Sequence, residues 1–165
     1  MQIAPNPSHD NYTVRGLSET TGISKSEISG ALRRCMDVGL AKPDRKTGEP
    51  RANTKALFEL IAYGIRYVFP AKPGPIVRGI PTAYAAPVLS GKLMSAGEHI
   101  CVWEDAFGQQ QGQSVMPLFK TVPLAVRRDA ELYAMLALVD SIRLGQERES
   151  ALAKGLLEKY LRGNA

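Results

Sequence analysis

Residues 13–40 read Thr13-Val-Arg-Gly-Leu-Ser-Glu-Thr-Thr-Gly-Ile-Ser-Lys-Ser-Glu-Ile-Ser-Gly-Ala-Leu-Arg-Arg-Cys-Met-Asp-Val-Gly-Leu40. A first helix is expected to end at Gly22, because glycine readily adopts the left-handed backbone that follows many helices. A second helix is expected to begin after Ser24, because Ser24 and Glu27 have the spacing of a capping box. In that box the hydroxyl accepts from the Glu27 amide and the carboxylate reaches back to the Ser24 amide. The stretch therefore predicts two short helices joined by a tight turn.

The second predicted helix is amphipathic. Its apolar residues repeat at helical spacing and form one stripe: Ile28, Ala31, Leu32, Cys35 and Val38. The opposite face is polar near its start and basic in its middle. That face carries Lys25, Ser26, Ser29, Gly30, Arg33, Arg34 and Asp37. Glycine costs about 1 kcal/mol relative to alanine inside a helix, and close approach of the backbone to a base pair is one reason to keep Gly30. The alternative is an ordinary solvated helix face.

A basic, turn-rich stretch follows. Pro43-Asp44 and Thr47-Gly48 are turn signals, so residues 41–52 predict a short irregular hairpin. Its cations fit either phosphate contacts or a solvated loop, and they are Lys42, Arg45, Lys46 and Arg51. Asn53 then predicts the cap of a helix that runs to about Phe69. The helix carries one apolar stripe and further apolar residues around it. We therefore expect it to be nearly all buried, in the core or in a dimer seam.

The whole segment resembles the helix-turn-helix of winged-helix transcription regulators, MarR-like ones in particular. The match is carried by Leu17, Gly22, Ile23, Ser24, Ser29, Ala31, Leu32, Arg33, Gly39 and Leu40. The resemblance implies base-edge contacts from Lys25, Ser26, Ser29 and Arg33. It implies phosphate contacts from Thr13, Arg34, Arg45, Lys46 and Arg51. It also implies a regulator, a repressor by preference, that binds a palindromic operator in double-stranded DNA as a homodimer.

One feature departs from that family. Such domains need a helix before the motif, and residues 1–12 hold two prolines and are not expected to supply a full one. The missing layer would come from the helix after the hairpin, from a partner chain, or from residues upstream of the chosen start. This departure also motivates an alternative function: a winged-helix protein–protein interaction module, an adaptor or antitoxin-like partner, without specific DNA binding.

Charge distribution favours the motif end as the phosphate-facing surface. The net charge is +5, and it divides into +3 for residues 1–55, +3 for residues 56–92 and −1 for residues 93–165. Two cysteines in 165 residues argue against a disulfide framework and favour a reducing cytoplasm. The sequence shows no signal-peptide pattern and no apolar run long enough for a membrane span.

The middle of the chain is rich in proline. Residues 70–87 hold five of the eleven prolines and predict an extended surface arm, neither a regular helix nor a central strand. His99–Trp103 predicts a short strand, 106–114 a loop, and 115–119 a segment that pairs with the strand, with Trp103 and Phe119 packing together. His99 and Cys101 have no further ligand nearby, so no metal site is predicted.

Two helices are predicted at the C-terminal end. Asp129 caps the first, which runs to Leu144, and Gly145 separates it from a second over Glu147–Leu161. Their apolar surface is broader than one helical hairpin buries against itself. It favours dimerisation, with packing back on the N-terminal domain as the alternative.

These predictions combine into a mainly α fold with a small β component. The expected domains are a winged helix-turn-helix DNA-binding domain (1–69), a Pro-rich arm with a short β element (70–126) and C-terminal dimerisation helices (127–165). Phosphate-binding glycine loops, nucleophile elbows and zinc-protease motifs are lacking, so we expect no enzyme activity, catalytic residues, cofactor or metal. The residues indicate no particular small-molecule effector.

Overall fold

The computed structural model describes residues 12–92 and 99–163. Over those residues the protein is mainly α-helical and carries two small sheets. The chain divides into two compact units between Leu57 and Phe58. The predicted limits at residues 69 and 126 both fall within the second of these units. The N-terminal stretch that was expected to lack a full helix lies, up to residue 11, outside the described residues.

The first unit follows the order expected for its helices and hairpin. Its elements are α1 (Val14–Thr21), α2 (Lys25–Asp37), β1 (Ala41–Pro43), β2 (Pro50–Ala52) and the start of α3 (Thr54–Glu59). The strands pair antiparallel, with Ala41 opposite Ala52. Helix α2 packs against both α1 and β1. Two helices and a hairpin therefore lie together in one compact unit.

Local hydrogen bonds explain where the helices begin and end. Gly22 has a φ of 73°, and its amide donates to the Ser18 carbonyl at 2.9 Å. The Ser24 hydroxyl accepts from the Glu27 amide at 3.3 Å and donates to the Glu27 carboxylate at 2.8 Å. The predicted turn and the Ser24 cap are confirmed. The predicted bond from the Ser24 amide to the Glu27 carboxylate stays a prediction, since that carboxylate accepts from the Ser24 hydroxyl.

The apolar stripe of α2 is only partly covered. Ile28 is buried, whereas Ala31, Leu32 and Cys35 are half-buried. The prediction that Val38 belongs to the inward stripe is wrong, since 70% of its surface is exposed. The reason is that α2 ends at Asp37, so helical spacing no longer determines where Val38 points.

The helix after the hairpin is not regular. Asn53 caps α3, with its side-chain oxygen accepting from the Ala56 amide at 3.5 Å. A π-helical segment (Leu60–Gly64) follows, and α4 (Ile65–Val68) ends the run. The expected near-complete burial is wrong, because four large side chains are mostly exposed: Tyr63, Tyr67, Val68 and Phe69. A π turn holds more residues than an α turn, so it rotates the residues that follow out of the expected stripe.

A small closed sheet lies in the second unit. It consists of β3 (Ile76–Thr82), β4 (Cys101–Glu104) and β5 (Gln110–Ser114). Strand β3 pairs antiparallel with both others, and β4 pairs parallel with β5. The predicted strand around Cys101 is confirmed. The predictions of a surface arm at 70–87, a loop at 106–114 and a pairing segment at 115–119 are wrong, because β3 lies in the closed sheet and the segment that pairs with β3 and β4 is β5.

Proline does not prevent β3 from pairing with two strands. The β5 pairing covers Ile76–Gly79 and therefore stops short of Pro81. Pro81 lies opposite Val102 of β4. Because proline has no amide to donate, it offers only its carbonyl, which accepts from the Tyr133 hydroxyl at 2.6 Å.

Three helices complete the second unit: α5 (Val122–Arg128), α6 (Ala130–Leu144) and α7 (Glu147–Leu161). The Asp129 cap is confirmed, since its carboxylate accepts from the Leu132 amide at 2.9 Å, and Gly145 ends α6 with a φ of 76°. Helix α5 was not predicted. Trp103 is 1% exposed in a cluster against which Phe119 packs, as expected.

The second unit covers α6 with its own elements. Helix α6 contacts β3, α4, α5 and α7, and Leu138 and Ile142 are fully buried. The breadth of its apolar surface is thus explained within one chain and no longer argues for a partner copy at this helix. Within the described residues, no helix has both the length and the apolar character needed to cross a membrane.

A buried ion pair ties these elements together. The Asp140 carboxylate accepts from the Thr82 hydroxyl at 2.8 Å, the Trp103 indole at 2.7 Å and Arg143 at 2.6 Å. Arg143 also donates to the carbonyls of Phe69 at 2.8 Å and Met116 at 3.0 Å. Burial raises the pKa of Asp140, and Arg143 opposes that rise. The residues that hydrogen-bond to this pair all lie in the second unit: Thr82, Trp103, Phe69 and Met116.

Candidate nucleic-acid interface

The polar face of α2 is open. Its five predicted contact residues are all exposed: Lys25, Ser26, Ser29, Arg33 and Arg34. The Ser24 cap fixes where the helix begins and therefore which residues lie on this face. Lys25, Ser29 and Arg33 follow one another at intervals of four and form a single row along the helix.

Gly30 has a neighbour that the sequence did not reveal. A β-carbon placed there would lie 3.3 Å from a terminal nitrogen of Arg34. The Arg34 side chain therefore folds back over the glycine. Room for this guanidinium is a second physical reason for Gly30, beside the expected approach to a base pair.

Asp44 shapes the tip of the hairpin. Its carboxylate accepts from the amides of Lys46 at 2.8 Å and Thr47 at 3.0 Å, and these bonds lower the pKa of Asp44. A side chain that bonds the backbone two and three residues ahead closes a tight turn. The turn leaves Arg45 and Lys46 exposed at the tip.

Arg51 differs from the other hairpin cations. It pairs with Glu49 at 3.3 Å, and its guanidinium lies 4.4 Å from the ring centroid of Tyr12. It is half-buried, whereas the other eight predicted site residues are exposed. Arg51 is thus already partnered, and its guanidinium is less available to an external anion than the exposed side chains of Arg45 and Lys46.

Thr13 has a structural role at the start of α1. Its hydroxyl accepts from the Gly16 amide at 3.1 Å, which caps the helix. The sequence predicted a phosphate contact at this position. The cap places the threonine at the exposed N-terminal end of α1, where helix amides favour an anion.

The cations of the α2 face and the hairpin tip form no salt bridge among the described residues, although the charge of Lys25, after that of Arg15, helps to lower the pKa of Glu19. Within residues 12–92 and 99–163, no carboxylate forms an ion pair with Lys25, Arg33, Arg34, Arg45 or Lys46. In the same unit Arg15 is neutralised by Glu19 at 2.8 Å. Two further exposed cations, Lys42 and Lys55, were left out of the predicted site. Their charge was visible in the sequence, but their exposure was not.

The described part of the chain holds no cluster of side chains suited to a metal ion. No group of three His, Cys, Asp or Glu side chains gathers there in a geometry that holds a metal ion. Both cysteines are free thiols, Cys35 half-buried and Cys101 buried.

Comparisons of the chain with protein-family models, with curated proteins and with solved structures find no match. The function proposed below rests on the residues of the first unit and on their exposure.

Proposed function

We propose that the first unit binds double-stranded DNA sequence-specifically through the exposed face of α2. The observation that carries this proposal is the row of Lys25, Ser29 and Arg33, which is exposed and pairs with no described carboxylate. The major groove admits one α-helix, and arginine and serine both reach base edges there. Unpaired cations beside short hydroxyl groups suit that surface.

The hairpin adds contacts that do not depend on sequence. Arg45 and Lys46 project from a turn that Asp44 holds closed. Contacts of this kind fix the register of a protein on the duplex without reading bases. The binding free energy is therefore expected to be salt-dependent, since phosphate contacts release counterions.

We infer a homodimeric repressor, as the resemblance to winged-helix regulators implies. Two-fold symmetry would place two α2 helices on half-sites about 34 Å apart. The exposed side chains of Tyr63, Tyr67, Val68 and Phe69 provide an apolar surface in the second unit for such pairing. This surface replaces the C-terminal helices as the expected seam.

Selection of bound duplexes from a random pool tests the proposal. Recovery of an inverted repeat by the wild-type chain, and loss of that enrichment in Arg33→Ala, is the expected result. Lys159→Ala is a matched control, because Lys159 is an exposed cation on α7 in the other unit. A pool that stays random, or equal enrichment by Arg33→Ala, would overturn it.

The same exposed apolar residues favour a second function, a protein–protein interaction module. It predicts a stable hetero-complex and little retention on any duplex. A heparin or DNA column developed with a salt gradient, read together with light scattering, separates the two functions. In the second case Tyr67→Ser should break the hetero-complex. In the first case it should weaken the homodimer and therefore binding to an inverted repeat, while binding to a single half-site stays unchanged.

A further inference from the structure

A small cleft opens in the second unit beside the closed sheet. Its volume is about 260 Å³. Polar side chains form much of its wall: Tyr84, His99, Cys101, Gln113, Gln146 and Glu149. Pro73 and Leu144 supply apolar surface. Among the described residues that line it there is neither lysine nor arginine, and Glu149 is the carboxylate.

Glu149 has an unsatisfied oxygen. Its Oε2 atom is buried and accepts no hydrogen bond. Among the described residues, no other buried side-chain nitrogen or oxygen lacks a hydrogen-bond partner. Asp140, the other carboxylate near this part of the unit, has three donors. A buried carboxylate oxygen without a donor is costly, so such a group needs an external partner or a proton.

The neighbours of Glu149 do not supply that partner. The Tyr84 hydroxyl donates to the His99 carbonyl at 2.6 Å. Burial raises the pKa of the Cys101 thiol, and the nearby charge of Glu149 adds to the rise, so the thiol stays protonated and is only a weak donor. Burial likewise raises the pKa of Glu149.

The backbone holds Tyr84 in this wall by an unusual conformation. Ala83 is fully buried and has a φ of 52°, a left-handed value that alanine rarely adopts. It turns the chain out of β3 into a short 3₁₀ segment (Ala83–Ala85). Ala83 and Cys101 share one core cluster, against which Tyr84 and Leu144 pack. The cleft is thus built on packed elements of the unit.

We propose that this cleft binds a small organic cation, an alkylammonium or guanidinium compound, whose charged group donates to Glu149 Oε2. The glutamine carbonyls accept its remaining hydrogens, and its stem lies against Pro73 and Leu144. The volume is below the roughly 300–1,000 Å³ of pockets for drug-sized ligands, so the ligand has few heavy atoms. Binding here is independent of DNA binding by the first unit.

Titration of the full chain with n-butylammonium chloride, followed by amide chemical shifts, tests the proposal. We expect saturable shifts at Gln146, Glu149 and Gln113. The neutral isostere n-butanol should give none. Glu149→Gln should weaken binding by about tenfold or more, because it removes a charge-assisted hydrogen bond.

Glu147→Gln is the matched control. It removes the same charge from the same first turn of α7, but Glu147 is exposed and does not line the cleft. It should bind n-butylammonium as the wild type does. Equal binding by Glu149→Gln, equal shifts with n-butanol, or no saturable shift in the wild type would overturn the proposal. If Glu149→Gln does not fold, the two probes on the wild-type chain decide.

Discussion

A β-carbon placed on Gly108 would lie 2.4 Å from the carbonyl carbon of Gly79. Gly79 is equally crowded, because a β-carbon there would lie 2.0 Å from the Trp103 carbonyl oxygen. Real β-carbons do not come so close to backbone atoms. Gly79 therefore lets β3 lie close to β4, and Gly108 lets the turn before β5 lie close to β3; Gly112 in β5 is similarly crowded, since a β-carbon there would lie 2.3 Å from the Ile100 carbonyl oxygen.

Gly79→Ala should destabilise the second unit by about 3 kcal/mol or more, at the upper end of overpacking costs, because the opposing atoms are backbone and cannot rotate away. Urea unfolding followed by the fluorescence of Trp103, the single tryptophan, measures this directly. Gly155→Ala is the control. It lies in α7 with nothing within 4 Å and should stabilise by about 0.5–1 kcal/mol. Equal effects of the two changes would contradict the close contact.

Arg33→Ala and Lys46→Ala should have different effects on DNA binding. Loss of Arg33 should cost about 1–3 kcal/mol on a selected site and relax preference at one base pair. Loss of Lys46 should weaken binding to all sequences alike and reduce the salt slope by about one. Fluorescence anisotropy over a salt series measures both. Arg15→Ala, which removes a cation already paired with Glu19, should change neither quantity much.

Arg143→Met should destabilise the second unit by about 3–5 kcal/mol, because it leaves the Asp140 carboxylate buried without its cation. The double variant Asp140→Asn/Arg143→Met should lose less than the sum of the single changes. Urea unfolding of the four proteins gives the coupling free energy. Strict additivity would show that the pair does not act as a unit.

The same variant should respond to pH in a defined direction. The pKa of Asp140 is raised by burial, and removal of Arg143 raises it further. A carboxyl group whose folded pKa lies above its unfolded value favours the folded state at low pH and loses that contribution as pH rises. The stability difference between Arg143→Met and wild type should therefore shrink as pH falls towards the ordinary aspartate pKa of 3.8. A constant difference would show that loss of Arg143 does not raise the pKa of Asp140 further.

Thiol labelling should separate the two cysteines. Cys35 is half-buried and Cys101 is 3% exposed, and burial also raises the pKa of the Cys101 thiol. Native protein should take up one iodoacetamide quickly, at Cys35, and a second only on unfolding. Mass spectrometry of the Cys35→Ser variant should then show slow modification only. Rapid labelling of that variant would contradict the burial of Cys101.

Several features could be predicted from the sequence because they depend on interactions between residues that are close along the chain. Ser24 and Asp129 cap helices, and Gly22 and Gly145 end them, because each effect involves atoms no more than four residues apart. The exposed face of α2 followed from spacing alone for the same reason. The predicted contact residues on α2 belong to a single element, and their exposure required only that the helix be amphipathic.

Contacts between distant residues decided the rest. Gly79 pairs with both Glu104 and Gln110. Nothing in the proline-rich stretch around Gly79 or in the glutamine-rich stretch around Gln110 predicts these pairs. The π segment rotated Tyr67 outward, and the sheet and neighbouring helices covered α6. In the sequence Glu149 cannot be told from a surface glutamate in the first turn of a helix. Only tertiary packing buries one of its carboxylate oxygens. Propensity and periodicity act along the chain, whereas strand pairing and desolvation depend on which residues the folded chain brings side by side.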